Sequence, residues 1–107
     1  MVLILIKYKI IIKSSAKKDI NKITNYIIKN FKSNRIAEKL ISEIRDKMLI
    51  LQEYPNAYQT LFNYKYTDRK YKRVVVDNYS IIYYILEEQK KVVIVHIYYN
   101  KRNFFNS

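Results

Sequence analysis

The 107-residue chain has no cysteine, no glycine and one proline. Without cysteine there is no disulfide, no thiol nucleophile and no thiolate metal ligand, which fits a reducing compartment. Without glycine there is no phosphate-cradling glycine loop and no strand-turn-helix nucleophile elbow. Histidine occurs once, at His96, and no carboxylate cluster has ligand spacing. A metal centre is therefore excluded from the expectations, and no cofactor is implied. Long apolar runs are missing too. The apolar opening Val2 to Ile6 is broken by Lys7 and Lys9, far short of the roughly 20 residues needed to span a bilayer. It also lacks the basic start and small-residue cleavage site of a signal peptide. A cytoplasmic protein without a membrane partner is expected.

Acidic residues are scarce as well: nine Asp and Glu stand against 21 Lys and Arg, for a formal charge of +12. Such an excess in a small domain disfavours self-association and favours an anionic partner, whether nucleic acid or an acidic protein. The length suits one compact domain, taken as residues 1–107.

The apolar periodicity is clear. Residues 8–13 are β-branched and partly alternating, with Tyr8, Ile10 and Ile12 on one face, and read as a strand. Ser14-Ser15 then offers a helix N-cap, with Asp19 early in the helix where the dipole favours a carboxylate. Ala16, Ile20, Ile23, Ile27 and Phe31 form one helical stripe, and Ser33-Asn34 ends that helix and caps the next. Ala37, Leu40, Ile41, Ile44, Met48 and Leu51 form the second stripe, which stops at Pro55. Residues 56–70 show no period and read as a loop. Three strand-length segments follow: Tyr71 to Val76, Tyr79 to Tyr84 and Val92 to Tyr99, broken by Asp77-Asn78 and by Glu87 to Lys90. Phe104 and Phe105 are expected to pack back on the body. Strands in runs predict an α+β fold: an N-terminal strand, a helical hairpin, then an antiparallel three-strand meander. All strands share one mostly antiparallel sheet, with the helices on one face. The helix stripes are expected on the face opposite Lys72.

The residues that could carry function form a basic and aromatic set. Lys70, Lys72, Arg73, Lys101 and Arg102 are the candidate contacts to an anion or nucleic acid. Tyr79, Tyr83, Tyr84, Tyr98 and Tyr99 lie among them, most of them for cross-strand packing. Alternation puts Lys72, Val74 and Val76 on one face and Tyr71, Arg73 and Val75 on the other. Cations bind phosphate and aromatics stack on bases, so the set suits RNA or single-stranded nucleic acid, and it suits an acidic peptide equally. His96 has no partner named by the sequence and reads as structural. Read from residues alone, this is an anion-binding α+β domain.

From Tyr8 to Phe105 the chain resembles toxins of the RelE/ParE superfamily, from bacterial type II toxin-antitoxin pairs. The resemblance rests on Ala16-Lys17-Lys18-Asp19-Ile20, on Ala37-Glu38-Lys39-Leu40-Ile41, on Tyr71-Lys72-Arg73, on Tyr79-Ser80-Ile81-Ile82-Tyr83, and on Tyr99-Asn100-Lys101-Arg102-Asn103. Asn100 stands where relatives often have glycine. The resemblance implies a small cytoplasmic toxin neutralised by a cognate antitoxin encoded beside it, acting either on DNA gyrase or on the translating ribosome with its mRNA. RelE-like relatives cleave mRNA without metal. In that case Lys72, Tyr99, Lys101 and Arg102 would form the catalytic set, with Tyr99 standing where some relatives carry a catalytic histidine. Three nuclease positions have changed: a second strand lysine falls on Val74, an arginine falls on Ser80, and the C-terminal tyrosine falls near Phe104 or Phe105. A tyrosine hydroxyl with its ordinary pKa near 10 is a poor base at neutral pH. Losing a cation and the acid-base tyrosine would cost orders of magnitude in rate. The sequence therefore leans to a ParE-like, gyrase-directed or catalytically impaired toxin, with a RelE-like nuclease and a non-toxic nucleic-acid-binding module as the alternatives.

Overall fold

The computed structural model describes residues 7–58 and 70–100. Its elements run β1 (Lys9–Ile12), α1 (Ser14–Phe31), α2 (Asn34–Glu53), β2 (Lys72–Val76), β3 (Tyr79–Leu86) and β4 (Lys91–Tyr99). They form one four-stranded sheet in the order β1-β4-β3-β2. β2, β3 and β4 make the antiparallel meander, and β1 joins the outer edge of β4 in parallel. This is the expected α+β architecture. No described helix is long and apolar enough to cross a membrane. Lys101, Arg102, Phe104 and Phe105 lie outside the described residues, so the packing expected of the two phenylalanines does too.

The two helices cover one face of the sheet, and the strand alternation delivers the core to them. Val74 and Val76 from β2, Ile81 and Tyr83 from β3, and Val92, Ile94 and Ile97 from β4 are buried against Ala16, Ile27, Ala37, Leu40, Ile44 and Leu51 of the helices. Lys72 shares the face of Val74 and Val76, as the register Lys72↔Tyr83, Val74↔Ile81, Val76↔Tyr79 requires. The expectation that the helices pack opposite Lys72 is therefore corrected. Alternation sets which residues share a face, and two buried valines against one lysine decide which face is apolar. Lys72 resolves the conflict at the margin of the core, half-buried, with Nζ donating to the Tyr58 carbonyl at 3.1 Å. Phe31, expected in the first helix stripe, is 61% exposed: it is the last residue of α1 and borders an open groove.

Helix boundaries follow local chemistry. Ser33 Oγ accepts the Ile36 N–H at 3.2 Å and caps α2 as expected. Ser14 and Ser15 do not cap α1. The cap position is Lys13, without a side-chain bond, and Ser15 Oγ instead donates to the Val95 carbonyl at 2.6 Å. With no glycine to spend, the turns place Lys32, Asp77 and Lys90 at positive φ, a conformation that costs a β-carbon-bearing residue on the order of 1–2 kcal/mol. At the other end of the molecule the Tyr8 hydroxyl donates to Glu87 Oε2 at 2.6 Å, and Asn56 Nδ2 donates to Glu87 Oε1 at 3.2 Å. These bonds hold the Glu87 carboxyl below its usual range and tie β1, the end of α2 and the β3–β4 turn together.

Two stability predictions follow from this packing. Ile44→Ala, at a site only 4% exposed, should cost about 2–5 kcal/mol. Phe31→Ala should change the melting temperature little, since surface substitutions usually stay within about 0.5 kcal/mol. Equal losses would contradict the core described here. The buried Tyr83 hydroxyl donates to the Pro55 carbonyl at 2.9 Å, and burial pushes its pKa up. Folded Tyr83 thus keeps its proton where the unfolded chain would release it. Its contribution, about 1–3 kcal/mol at neutral pH, is fully present below the unfolded value near 10 and is lost as pH rises above it. The stability difference between wild type and Tyr83→Phe should therefore shrink in denaturant titrations above pH ~10.

Candidate functional site

The site is built where β4 outruns β1. The parallel pairing ends at Ile12↔Ile94, yet β4 continues to Tyr99, which leaves its outer edge without a strand neighbour among the described residues. A bare edge of this kind needs covering. The entry to α1 covers it with one backbone N–H and two side chains. Lys13 N–H donates to the Ile94 carbonyl at 3.0 Å, Ser15 Oγ takes the Val95 carbonyl, and Asp19 Oδ2 accepts the Ile97 N–H at 3.0 Å. The same carboxylate oxygen meets His96 Nδ1 at 2.9 Å. A β-bulge coincides with this clamp: the register steps from Ile82↔His96 to Tyr83↔Ile94 and passes over Val95. Asp19, expected to serve the helix dipole, serves the strand instead, and His96 finds in it the partner the sequence did not name. Only the tertiary docking of α1 on β4 reveals either role.

The clamp brings α1 beside the far end of the sheet and opens a groove of about 710 Å³ between α1, α2, the β2–β3 turn and the end of β4. Ile23, Ile27, Leu40 and Tyr79 line its apolar wall, and Lys22, Lys39, Glu43 and Asp77 stand among its polar residues. Tyr26, Phe31, Ile36 and Tyr99 also line it and are 62%, 61%, 49% and 50% exposed. Two aromatic pairs are preformed there, Tyr26–Phe31 at 6.5 Å and Tyr79–Tyr99 at 5.4 Å, both edge to face. Burial, then the neighbouring Tyr99, raises the Tyr79 pKa, so that hydroxyl remains protonated at neutral pH. Of the exposed helix residues, Phe31 is expected in the first helix stripe, while Tyr26 and Ile36 are not singled out by the sequence. Tyr26 and Ile36 fall outside the helix stripes, and that departure was the signal available.

The residues expected to act on phosphate are spread apart. Lys72 and Tyr99 share the helix-bearing face but sit opposite Tyr83 and Tyr79. That separates them by roughly 13 Å along the strands and by two strand spacings of about 4.8 Å across them. The buried side chains of Val74, Ile81 and Ile97 fill the space between. Arg73 is exposed on the other face, in line with Ile82 and His96, and Lys70 is exposed ahead of β2. Val74 and Ser80, where a nuclease would have a lysine and an arginine, point to opposite faces and are 1% and 0% exposed. Ser80 Oγ donates to Asn100 Oδ1 at 2.5 Å. Lys101 and Arg102 lie outside the described residues. No group of three or more metal-ligating side chains occurs among the described residues. What the described arrangement offers is an apolar, aromatic binding surface.

The profile of a family described as the ParE toxin of the type II toxin-antitoxin system parDE matches residues 10–104. No curated protein matches the chain in sequence. Among solved structures, the chain is similar to the RelBE2 toxin-antitoxin complex of Mycobacterium tuberculosis, with TM-score 0.60 and 17% identity over 90% of this chain and 94% of that one. It is similar to the archaeal RelE–RelB complex of Pyrococcus horikoshii OT3, with TM-score 0.57 and 18% identity over 90% and 98%. A mutant of the E. coli toxin RelE in the free state gives TM-score 0.55 and 15% identity over 91% and 87%. At these identities the three structures establish a common fold.

The clamp itself is testable. Asp19→Ala removes a charged acceptor from the Ile97 N–H and should cost about 1.5–3 kcal/mol. Asp19→Asn retains an acceptor oxygen and should cost less. Amide exchange at Ile97 should speed up in the alanine variant ahead of exchange at Val92 and Ile94.

Proposed function

The chain belongs to the ParE toxin family of type II toxin-antitoxin systems, and from that premise we propose that it arrests growth by binding and disabling DNA gyrase rather than by cutting RNA. Its cognate antitoxin neutralises it. The observation that carries the gyrase reading is the separation of Lys72 from Tyr99 by packed core, with Val74 buried between the helices and the sheet. A metal-free ribonuclease has to gather several cations and a proton-transfer group around one phosphate. Lys72, Arg73 and Tyr99 do not converge on a common point: two share a face at opposite ends and the third looks the other way. A gyrase poison has no such requirement and needs a binding surface, which the groove beside Tyr99 supplies.

Tyr99→Phe separates the mechanisms, because it keeps the ring that packs on Tyr79 and removes only the hydroxyl. Induced in bacteria, the variant should remain as toxic as wild type, and both should raise DNA breaks and the SOS response. Primer extension on message from the same cells should show no new ends. Discrete, translation-dependent cuts in wild-type cells that vanish with Tyr99→Phe would establish the RelE-like ribonuclease instead.

A further inference from the structure

The face of the sheet turned away from the helices carries a charge pattern that folding does not require. Ile10, Val74 and Val92 point into the core, so alternation puts Lys9, Arg73 and Lys91 on the other face. Lys13 joins them, because its Nζ lies 5.7 Å from the ring centre of Tyr84, the neighbour of the core residue Tyr83. Lys9, Lys13 and Arg73 are exposed and Lys91 is half-buried. The four strands hold no Asp or Glu. The ion pairs among the described residues engage Lys7, Lys39 and His96, which leaves these four cations without a carboxylate at ion-pair distance there. Lys9 and Lys91 are moreover register partners in the parallel ladder, one strand spacing of about 4.8 Å apart. Like charges set directly across from each other destabilise a sheet. An arrangement that costs stability in the free protein calls for a ligand that relieves it.

We propose that this face docks on the phosphate backbone of duplex DNA, so that the toxin touches the DNA on which gyrase works as well as the enzyme. The place of this contact in arresting gyrase rests on the reading above; the binding itself does not. Two features select a duplex. The charges are spread rather than focused: Lys9 and Lys13 stand about 13 Å apart along β1, and Arg73 lies across the whole width of the sheet. A small anion would meet one or two of them, whereas a duplex carries a charge for every ~1.7 Å of its axis and meets them all. Single-strand binding, by contrast, needs successive exposed rings for the bases to stack on. The rings set among these cations, Tyr71 and Tyr84, are engaged edge to face with each other at 5.6 Å, and Tyr84 is only 5% exposed. Phosphates between Lys9 and Lys91 would turn their repulsion in the free protein into attraction for the ligand, and the +12 charge of the chain would speed the encounter.

The test uses the full chain and a fluorescent duplex of arbitrary sequence, with binding read by anisotropy across a salt series. Phosphate contacts from Lys9, Lys13, Arg73 and Lys91 should make log K fall against log salt with a slope of about −3 to −4. Lys9→Gln combined with Lys91→Gln should flatten the slope by about 2 and weaken binding about tenfold or more at low salt. Lys29→Gln combined with Arg35→Gln removes the same charge from the helices and should leave slope and affinity close to wild type. Lys91→Glu should bind the duplex more weakly than Lys91→Gln, yet melt at or above the wild-type temperature, because it sets an opposite charge against Lys9. A merely solvated row of lysines would not set binding against stability in this way. An equal loss in the helix pair would overturn the proposal, since net charge and not this face would then carry the binding. So would absence of duplex binding at low salt, or tighter binding of single-stranded RNA or polyglutamate than of the duplex at the same salt. Duplex binding that follows these variants while gyrase stays untouched would defeat the gyrase reading and uphold the contact proposed here.

Discussion

One short stretch of hydrogen bonds organises this molecule: the start of α1 closing the open half of β4. β1 is only four residues long and pairs with half of its neighbour, so β4 would otherwise show a bare edge from Val95 onward. Ser15 and Asp19 act as the missing strand. That fixes the angle at which α1 leaves the sheet, and with it the position of the helical hairpin over the core face. It also fixes where α1 ends, with Tyr26 and Phe31 facing Tyr99 across an open cleft. A longer β1 would pair with the rest of β4 and remove the reason for the clamp. The groove is thus a consequence of a strand that stops early.

The same geometry divides the chain's chemistry. Buried valines, isoleucines and Tyr83 claim the helix-bearing face, leaving Lys72 at its margin, while Arg73 goes to the opposite face. Charge on a small basic domain then acts at long range, drawing in an acidic partner and keeping copies apart. Contact with a protein partner is left to exposed aromatics, which lose little conformational freedom on binding. A toxin held by an antitoxin gains from separating these tasks, because a screened surface charge gives attraction without permanence.

Much of this was legible in the sequence. The period-2 segments of Ile10, Ile12, Val74, Val76, Ile81 and Tyr83 and the two helical stripes predict the elements and the α+β order, because burial and alternation are local properties. The face taken by Lys72 was not legible. A lysine next to two valines gives no sign of which side the helices choose, and that depends on the helix stripes meeting those valines. Asp19 and Ser15 read as helix-start residues because such residues usually serve the nearest backbone. Here their partners lie 78 and 80 positions away. For the site, the types of the candidate residues are legible in the sequence, but their distribution over the sheet is not. Tyr99 and Lys72 look adjacent on a list of basic and aromatic residues, yet the antiparallel register sends them to opposite ends of the sheet.

The central claim is that the toxin acts through a protein target and not through phosphate chemistry of its own. Purified toxin should be added to a gyrase supercoiling reaction and, separately, to translating ribosomes loaded with a defined message. The account predicts loss of supercoiling with accumulation of cleaved plasmid, relieved by the antitoxin, and an intact message. Unimpaired supercoiling together with a message cut on the ribosome would contradict it.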